Sequence, residues 1–101
     1  MSHEALNPEQ FVGYHHAPRK HRESIITTGL RPNFPYEGPK GVYLHPNVES
    51  AQNYIKAQSL EDHDLYEVRV PKRQVKEDPL DERYSYTSRR VPPKRVKLYE
   101  P

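Results

Sequence analysis

The clearest pattern along the chain is the alternation in "DLYEVRV", residues 64 to 70, where Tyr66, Val68 and Val70 fall on one face and Leu65, Glu67 and Arg69 on the other. Pro71 closes this strand. Phe11 to His15 forms an earlier strand, and "GVYLH" (41 to 45) another, ended by Pro46. Between them "ESIITTGLRP" predicts a short helix that turns Ile25, Ile26 and Leu30 inward, with Gly29 at a left-handed C-terminal position and Pro32 beyond. "RPNFPYEGPKG" is a loop, because its prolines and glycines deny it regular hydrogen bonding. Asn47 is an N-cap for a helix running to about residue 59, with Glu49 in its first turn and Ala51, Tyr54, Ile55 and Gln58 on one face. "RYSYTS" alternates Tyr84 and Tyr86 against Ser85 and Thr87, and "RVKLY" supplies Val96 and Leu98 as a last strand. Strands outnumber helices and several connections are too short for crossovers. The expected class is compact α+β, with mostly antiparallel sheets and two short helices.

Composition limits the size of the core. The chain has 101 residues, of which 33% are hydrophobic and 30% charged, and it contains eleven prolines. Eight tyrosines and the β-branched runs nonetheless favour a folded domain, expected over residues 11 to 101 after a flexible leader at 1 to 10. The absence of cysteine removes disulfides, thiol nucleophiles and thiolate metal sites, and permits a reducing compartment. With no signal-like apolar run and no segment long enough to span a bilayer, the expectation is a cytoplasmic protein without membrane contact. The formal charge of +2 is too slight to imply nucleic-acid binding by itself, although basic residues cluster at 18 to 22 and 89 to 97 and acidic ones at 76 to 82.

The common catalytic signatures are missing: there is no nucleophile elbow, P-loop, dinucleotide fingerprint or zinc-protease motif. His15, His16 and His21 are close in sequence, but neighbours on a strand face opposite ways, so no metal site is expected. The informative feature is an order of segments: a strand bearing "YHH", a helix closed by "TGLRP", a proline-rich loop, and "GVYL" feeding the helix "ESAQNYI".

From Val12 to Tyr54 this order resembles the NAD-binding half of the ADP-ribosyltransferase family, including poly(ADP-ribose) polymerase catalytic domains. The second half, with "LYEVRV", "KEDP" and "SYTSR", is most similar to the small bacterial rifampin ADP-ribosyltransferases. The resemblance spans residues 12 to 98. It implies an ADP-ribosyltransferase-like fold and an NAD-dependent mono-ADP-ribosyltransferase, with NAD as co-substrate and no metal. It places a catalytic triad on His15, Tyr43 and Asp78. In such enzymes the histidine hydrogen-bonds a ribose of NAD and the backbone of the next residue holds the nicotinamide amide. The tyrosine stacks on nicotinamide, and the acid serves cleavage of the nicotinamide–ribose bond. Residues implied to bind NAD are His15, His16, Ala17, Arg19, Tyr43, Tyr54, Ser85 and Tyr86. The chain departs from the family pattern at His16, where glycine is usual, and at Ala17, where serine or threonine is. Within the acidic loop Glu77, Asp81 and Glu82 compete with Asp78, which the "DP" pair favours.

The chemistry is coherent on physical grounds alone. A carboxylate stabilises a cation developing at the ribose carbon, and an aromatic face suits a flat pyridinium ring. The acceptor, whether a small molecule, a protein or a nucleic acid, is left open, as is the oligomeric state. Two alternatives share the fold: an RNA 2′-phosphotransferase using Arg19, Arg22, Arg31 and Arg69, and a non-catalytic module that binds NAD, a nucleotide or nucleic acid.

Overall fold

The structure, a computed structural model, describes residues 9–33 and 38–100. Its elements in chain order are β1 (Gln10–Pro18), α1 (Arg22–Thr28), β2 (Val42–Leu44), α2 (Val48–Ala57), β3 (His63–Pro71), β4 (Lys76–Glu77), β5 (Ser85–Thr87) and β6 (Val96–Leu98), with 3₁₀ turns at Arg19–His21, Lys72–Gln74 and Pro93–Arg95. Two antiparallel three-stranded sheets result, ordered β1-β3-β6 and β2-β5-β4. This is the α+β class expected, with two short helices. Among the described residues no helix is long and apolar enough to cross a membrane.

The longest ladder joins β1 to β3, from Gln10 opposite Pro71 to Pro18 opposite His63. The strand therefore begins within the expected leader, at Gln10, and Glu9 is tied in as well: the Lys72 N–H donates to its carbonyl at 2.8 Å. Residues 1–8 of that leader lie outside the described residues. The alternation in β3 behaves as its pattern predicts, with Tyr66, Val68 and Val70 at most 2% exposed. They build the core with Val42 and Leu44 of β2, Ile25 and Leu30 around α1, and Val91. At Gly13 the two sheets come too close for a side chain, since a Cβ there would lie 2.8 Å from the Leu44 Cβ.

Two expectations for the helices are corrected. Ile26 is 51% exposed, because the seven-residue α1 presents only Ile25 inward and its other side faces solvent. On α2, where the apolar residues of that face were expected to be buried, Ala51 is fully buried and Ile55 partly, but Tyr54 is exposed, so the helix rests on the sheet along a narrow stripe. Asn47 caps α2 as expected, its side chain accepting from the Ser50 N–H at 2.7 Å. Gly29 takes a positive φ of 84° but an extended ψ of −162°, so the chain leaves α1 straight into a bridge between Leu30 and Val91 rather than through a left-handed helical turn. At the start of α1, Arg22 grips the buried Asp64 through both its Nε (2.7 Å) and Nη2 (2.6 Å), which fastens the helix to the start of β3.

Candidate functional site

Among the described residues one backbone bridge joins the two sheets: Tyr14 donates to and accepts from His45 at 3.0 and 2.7 Å. Beyond Tyr14, β1 stays paired with β3 but parts from β2, and a cleft opens at the split. Backbone groups on a strand alternate sides, so the N–H and C=O of His16, two residues past Tyr14, face the same side, toward the opening. His15 is fixed there by a 2.9 Å hydrogen bond between its Nδ1 and the Tyr43 carbonyl. A carbonyl oxygen only accepts, so Nδ1 carries the proton and Nε2 is the acceptor. Burial lowers the pKa of His15, keeping the ring neutral.

Two cavities share His15 and His16. One, of about 280 Å³, is lined by both and by Tyr43, Leu44, His45, Tyr54 and Tyr84. The other, of about 640 Å³, runs along α1 past Ala17, His21, Ser24, Thr28 and Arg31. Sequence reasoning brings together His15, His16, Ala17, Tyr43 and Tyr54 in these walls. It misses His45 and Tyr84, whose rings meet edge to face at 4.9 Å. A signal existed for His45, which lies two residues after Tyr43 and so shares its side of the strand.

The Tyr43 ring stacks on Tyr86 at 5.2 Å, and its hydroxyl donates to the Pro39 carbonyl at 2.5 Å. Tyr86 thus backs Tyr43 instead of lining a cavity. Ser85, paired with Leu44, lines neither cavity. Arg19 is turned away onto Asp64 (3.4 Å) and the Glu61 carbonyl (3.3 Å), outside both cavities. Asp78 is not in either wall, but its carboxylate and the Tyr43 hydroxyl close around Gly38, where a Cβ would meet them at 3.9 and 3.2 Å. Burial raises the Tyr43 pKa, and the Asp78 charge raises it further. A backbone N–H from Leu80 holds Asp78 Oδ1 at 3.0 Å. Its rivals are placed differently: Arg83 engages Asp81 at 2.7 Å and holds its carboxyl at about 2, while Glu77 and Glu82 are exposed.

Around His16 the structure assembles a ring cluster. Its ring lies 5.1 to 5.5 Å from those of His63, Tyr54 and His45, and its Nδ1 shares a proton-bearing contact of 2.9 Å with the Nδ1 of His63, one ring donating and the other accepting. Among the described residues no group of three or more candidate ligands is arranged to hold a metal ion. Desolvation lowers the pKa of His16 and of His45 to about 4. In the unfolded chain these rings take a proton from about 6.5 downward. The unfolded state therefore binds more protons between those values, and stability falls as pH drops from about 6.5 to about 4, by about 3 kcal/mol for one such histidine. Thermal unfolding followed by circular dichroism will show a lower midpoint at pH 5 than at pH 7.5. An unchanged midpoint would mean that these rings are not held neutral.

Comparison with protein-family models, curated proteins and solved structures finds no match to this chain.

Proposed function

We propose that the protein is an NAD-dependent mono-ADP-ribosyltransferase on an ADP-ribosyltransferase-like fold. The observation that carries this reading is the His15–Tyr43 hydrogen bond at the point where the sheets part, which sets a neutral histidine acceptor, an aromatic ring and an open backbone edge around one cleft. The smaller, aromatic-walled cavity suits a nicotinamide ring and the larger, more polar one the rest of the dinucleotide. His15 Nε2 would accept from a ribose hydroxyl, the His16 backbone would hold the carboxamide, and Arg31, Ser24 and Thr28 offer polar partners to the phosphates. NAD supplies a glycosidic bond to a good leaving group. The Asp78 carboxylate, on the far side of Tyr43, is the group available to favour positive charge at the ribose and to take the acceptor's proton.

The test is a titration with intact NAD, following resonances of the protein and free nicotinamide in one sample. Shifts at His15 and Tyr43 with nicotinamide release are expected. Tyr43→Ala is expected to weaken NAD binding about tenfold, by loss of the stacking face. Equal binding and release in wild type and variant would remove Tyr43 from the mechanism.

One observation favours a second reading, a binding module that retains the fold. The His16 side chain occupies the position where the related pattern has glycine, and it packs against His45, Tyr54 and His63. That reading expects saturable NAD binding and no nicotinamide release at any pH.

A further inference from the structure

Away from the histidine cleft, the outer face of the β1-β3-β6 sheet carries an unusual residue set. Cross-strand rows put Tyr14, Glu67 and Lys97 side by side, with Val12 and Arg69 in the next row. A cavity of about 400 Å³ opens over this face between Arg69 and the Lys94–Lys97 segment. Glu67 takes the Nε and Nη2 of Arg69 at 3.3 and 3.1 Å, but Arg69 Nη1 is out of solvent and has no hydrogen-bond partner among the described residues. A guanidinium N–H left in this state is costly, and an anion is the natural partner for it.

The cavity is the first of three that share lining residues. Lys94 and Arg95 also line a second of about 560 Å³, which shares Arg73 and Arg89 with a third of about 360 Å³. Half of the chain's sixteen lysines and arginines line this tract, against one carboxylate, Glu67. So dense a cationic tract, in a chain of net charge +2, is built against self-repulsion and calls for a polyanion. Two half-buried aromatic rings complete the surface. Tyr14 and Tyr99 meet edge to face at 6.4 Å, and Tyr14 feels the charges of both Glu67 and Arg69. A cationic groove with aromatic rings beside it is what an unpaired polynucleotide uses, phosphates on the cations and bases on the rings. An acidic protein segment would have no use for the rings.

We propose that this sheet face and the basic tract continuing from it bind single-stranded nucleic acid. The tract reaches the wall of the larger cleft cavity: Val91, which lines the tract, bridges to Leu30, and Arg90 donates to the Thr28 carbonyl at 2.5 Å. A strand held here passes close to the cleft. The proposal does not rest on the transferase reading, and its test contains no NAD, so either can fail without the other.

The test is fluorescence anisotropy of labelled single-stranded oligonucleotides of about 20 nucleotides, as RNA and as DNA. Engaging about five phosphates predicts a loss of affinity of about a hundredfold between about 50 and 200 mM salt. Charge reversal at the exposed Lys94 and Lys97 (K94E/K97E) is expected to weaken binding about tenfold or more. Tyr99→Ala is expected to reduce it about five- to tenfold. Lys56→Glu, on the exposed side of α2, is a charge reversal of half that net change away from the tract and is expected to have little effect. No binding at about 50 mM salt, or equal weakening by K56E and by the tract variants, would overturn the proposal. Equal binding of a duplex would overturn the role of the rings, and equal competition by polyglutamate would overturn the assignment to nucleic acid.

Discussion

On the proposed transferase reading, Asp78→Asn is expected to lower the rate of nicotinamide release from NAD by about 100- to 1,000-fold while leaving the fold intact. The two halves of this expectation have separate causes. Among the described residues the Asp78 side chain makes one hydrogen bond, accepting the Leu80 N–H at Oδ1, and an asparagine oxygen accepts it equally well. What asparagine lacks is the charge: on the proposed transferase reading the Asp78 carboxylate acts from behind Tyr43, outside both cavity walls, and a preorganised charge of that kind carries a large share of the rate. Asp81→Asn is the matched comparison, because Asp81 is already neutralised by Arg83. It is expected to change the rate less than about threefold. The measurement is release of labelled nicotinamide, alongside the unfolding midpoint of each variant. If both aspartates matter equally, or neither does, Asp78 is not the acid.

Gly29→Ala will destabilise the protein by about 3 kcal/mol or more, lowering the thermal midpoint by roughly 15 °C. At φ 84° and ψ −162° only glycine is comfortable. The steric problem is worse than the torsional one, for a Cβ would lie 2.0 Å from the Val91 carbonyl oxygen and 3.0 Å from atoms of Pro92 and Pro93, all backbone. Relief requires breaking the Leu30–Val91 bridge, whose two hydrogen bonds of 2.9 Å hold the exit of α1 against the C-terminal segment. Gly38→Ala is the contrast. Its φ of 103° is also unfavourable, but the nearest atom, at 3.2 Å, is the tip of the Tyr43 side chain, which can move. A Gly29→Ala midpoint within about 3 °C of wild type would show that the bridge yields easily.

Local pattern carried the elements whose environment is local. The period of two in β3 and the Asn47 cap both report which backbone groups and faces need partners, and both are read correctly from neighbouring residues. Failures came where a partner lies far along the chain. The alternation sets Thr87 on the face opposite Tyr86, yet both are buried, because β5 is the middle strand between β2 and β4 and is covered on both faces there. The two-residue β4 was hidden in an acidic run, since what makes Lys76 and Glu77 a strand is Tyr86 and Ser85 across from them. The site divides the same way. His15 and Tyr43 are linked in the sequence only by the order of segments that resembles a known family, and a hydrogen bond joins His15 to the Tyr43 carbonyl. His63 could not be found at all: it joins His16 only because the β1-β3 register sets Pro18 opposite it. Arg19 looked like a phosphate ligand until the buried Asp64, 45 residues later, claimed it.

The β1-β3 ladder also sets how this molecule reaches its folded state. Its pairs join residues 45 to 61 apart, and no hairpin turn lies between them to nucleate the zipper. The chain must close a long loop before the ladder returns any free energy, which places it among slow, topology-limited folders in the millisecond-to-second range. His15 and His16 lie inside that ladder, opposite Tyr66 and Leu65. The cleft is thus assembled by a long-range search of the folding reaction, and a newly made chain has no histidine cleft until its distant strands have found each other.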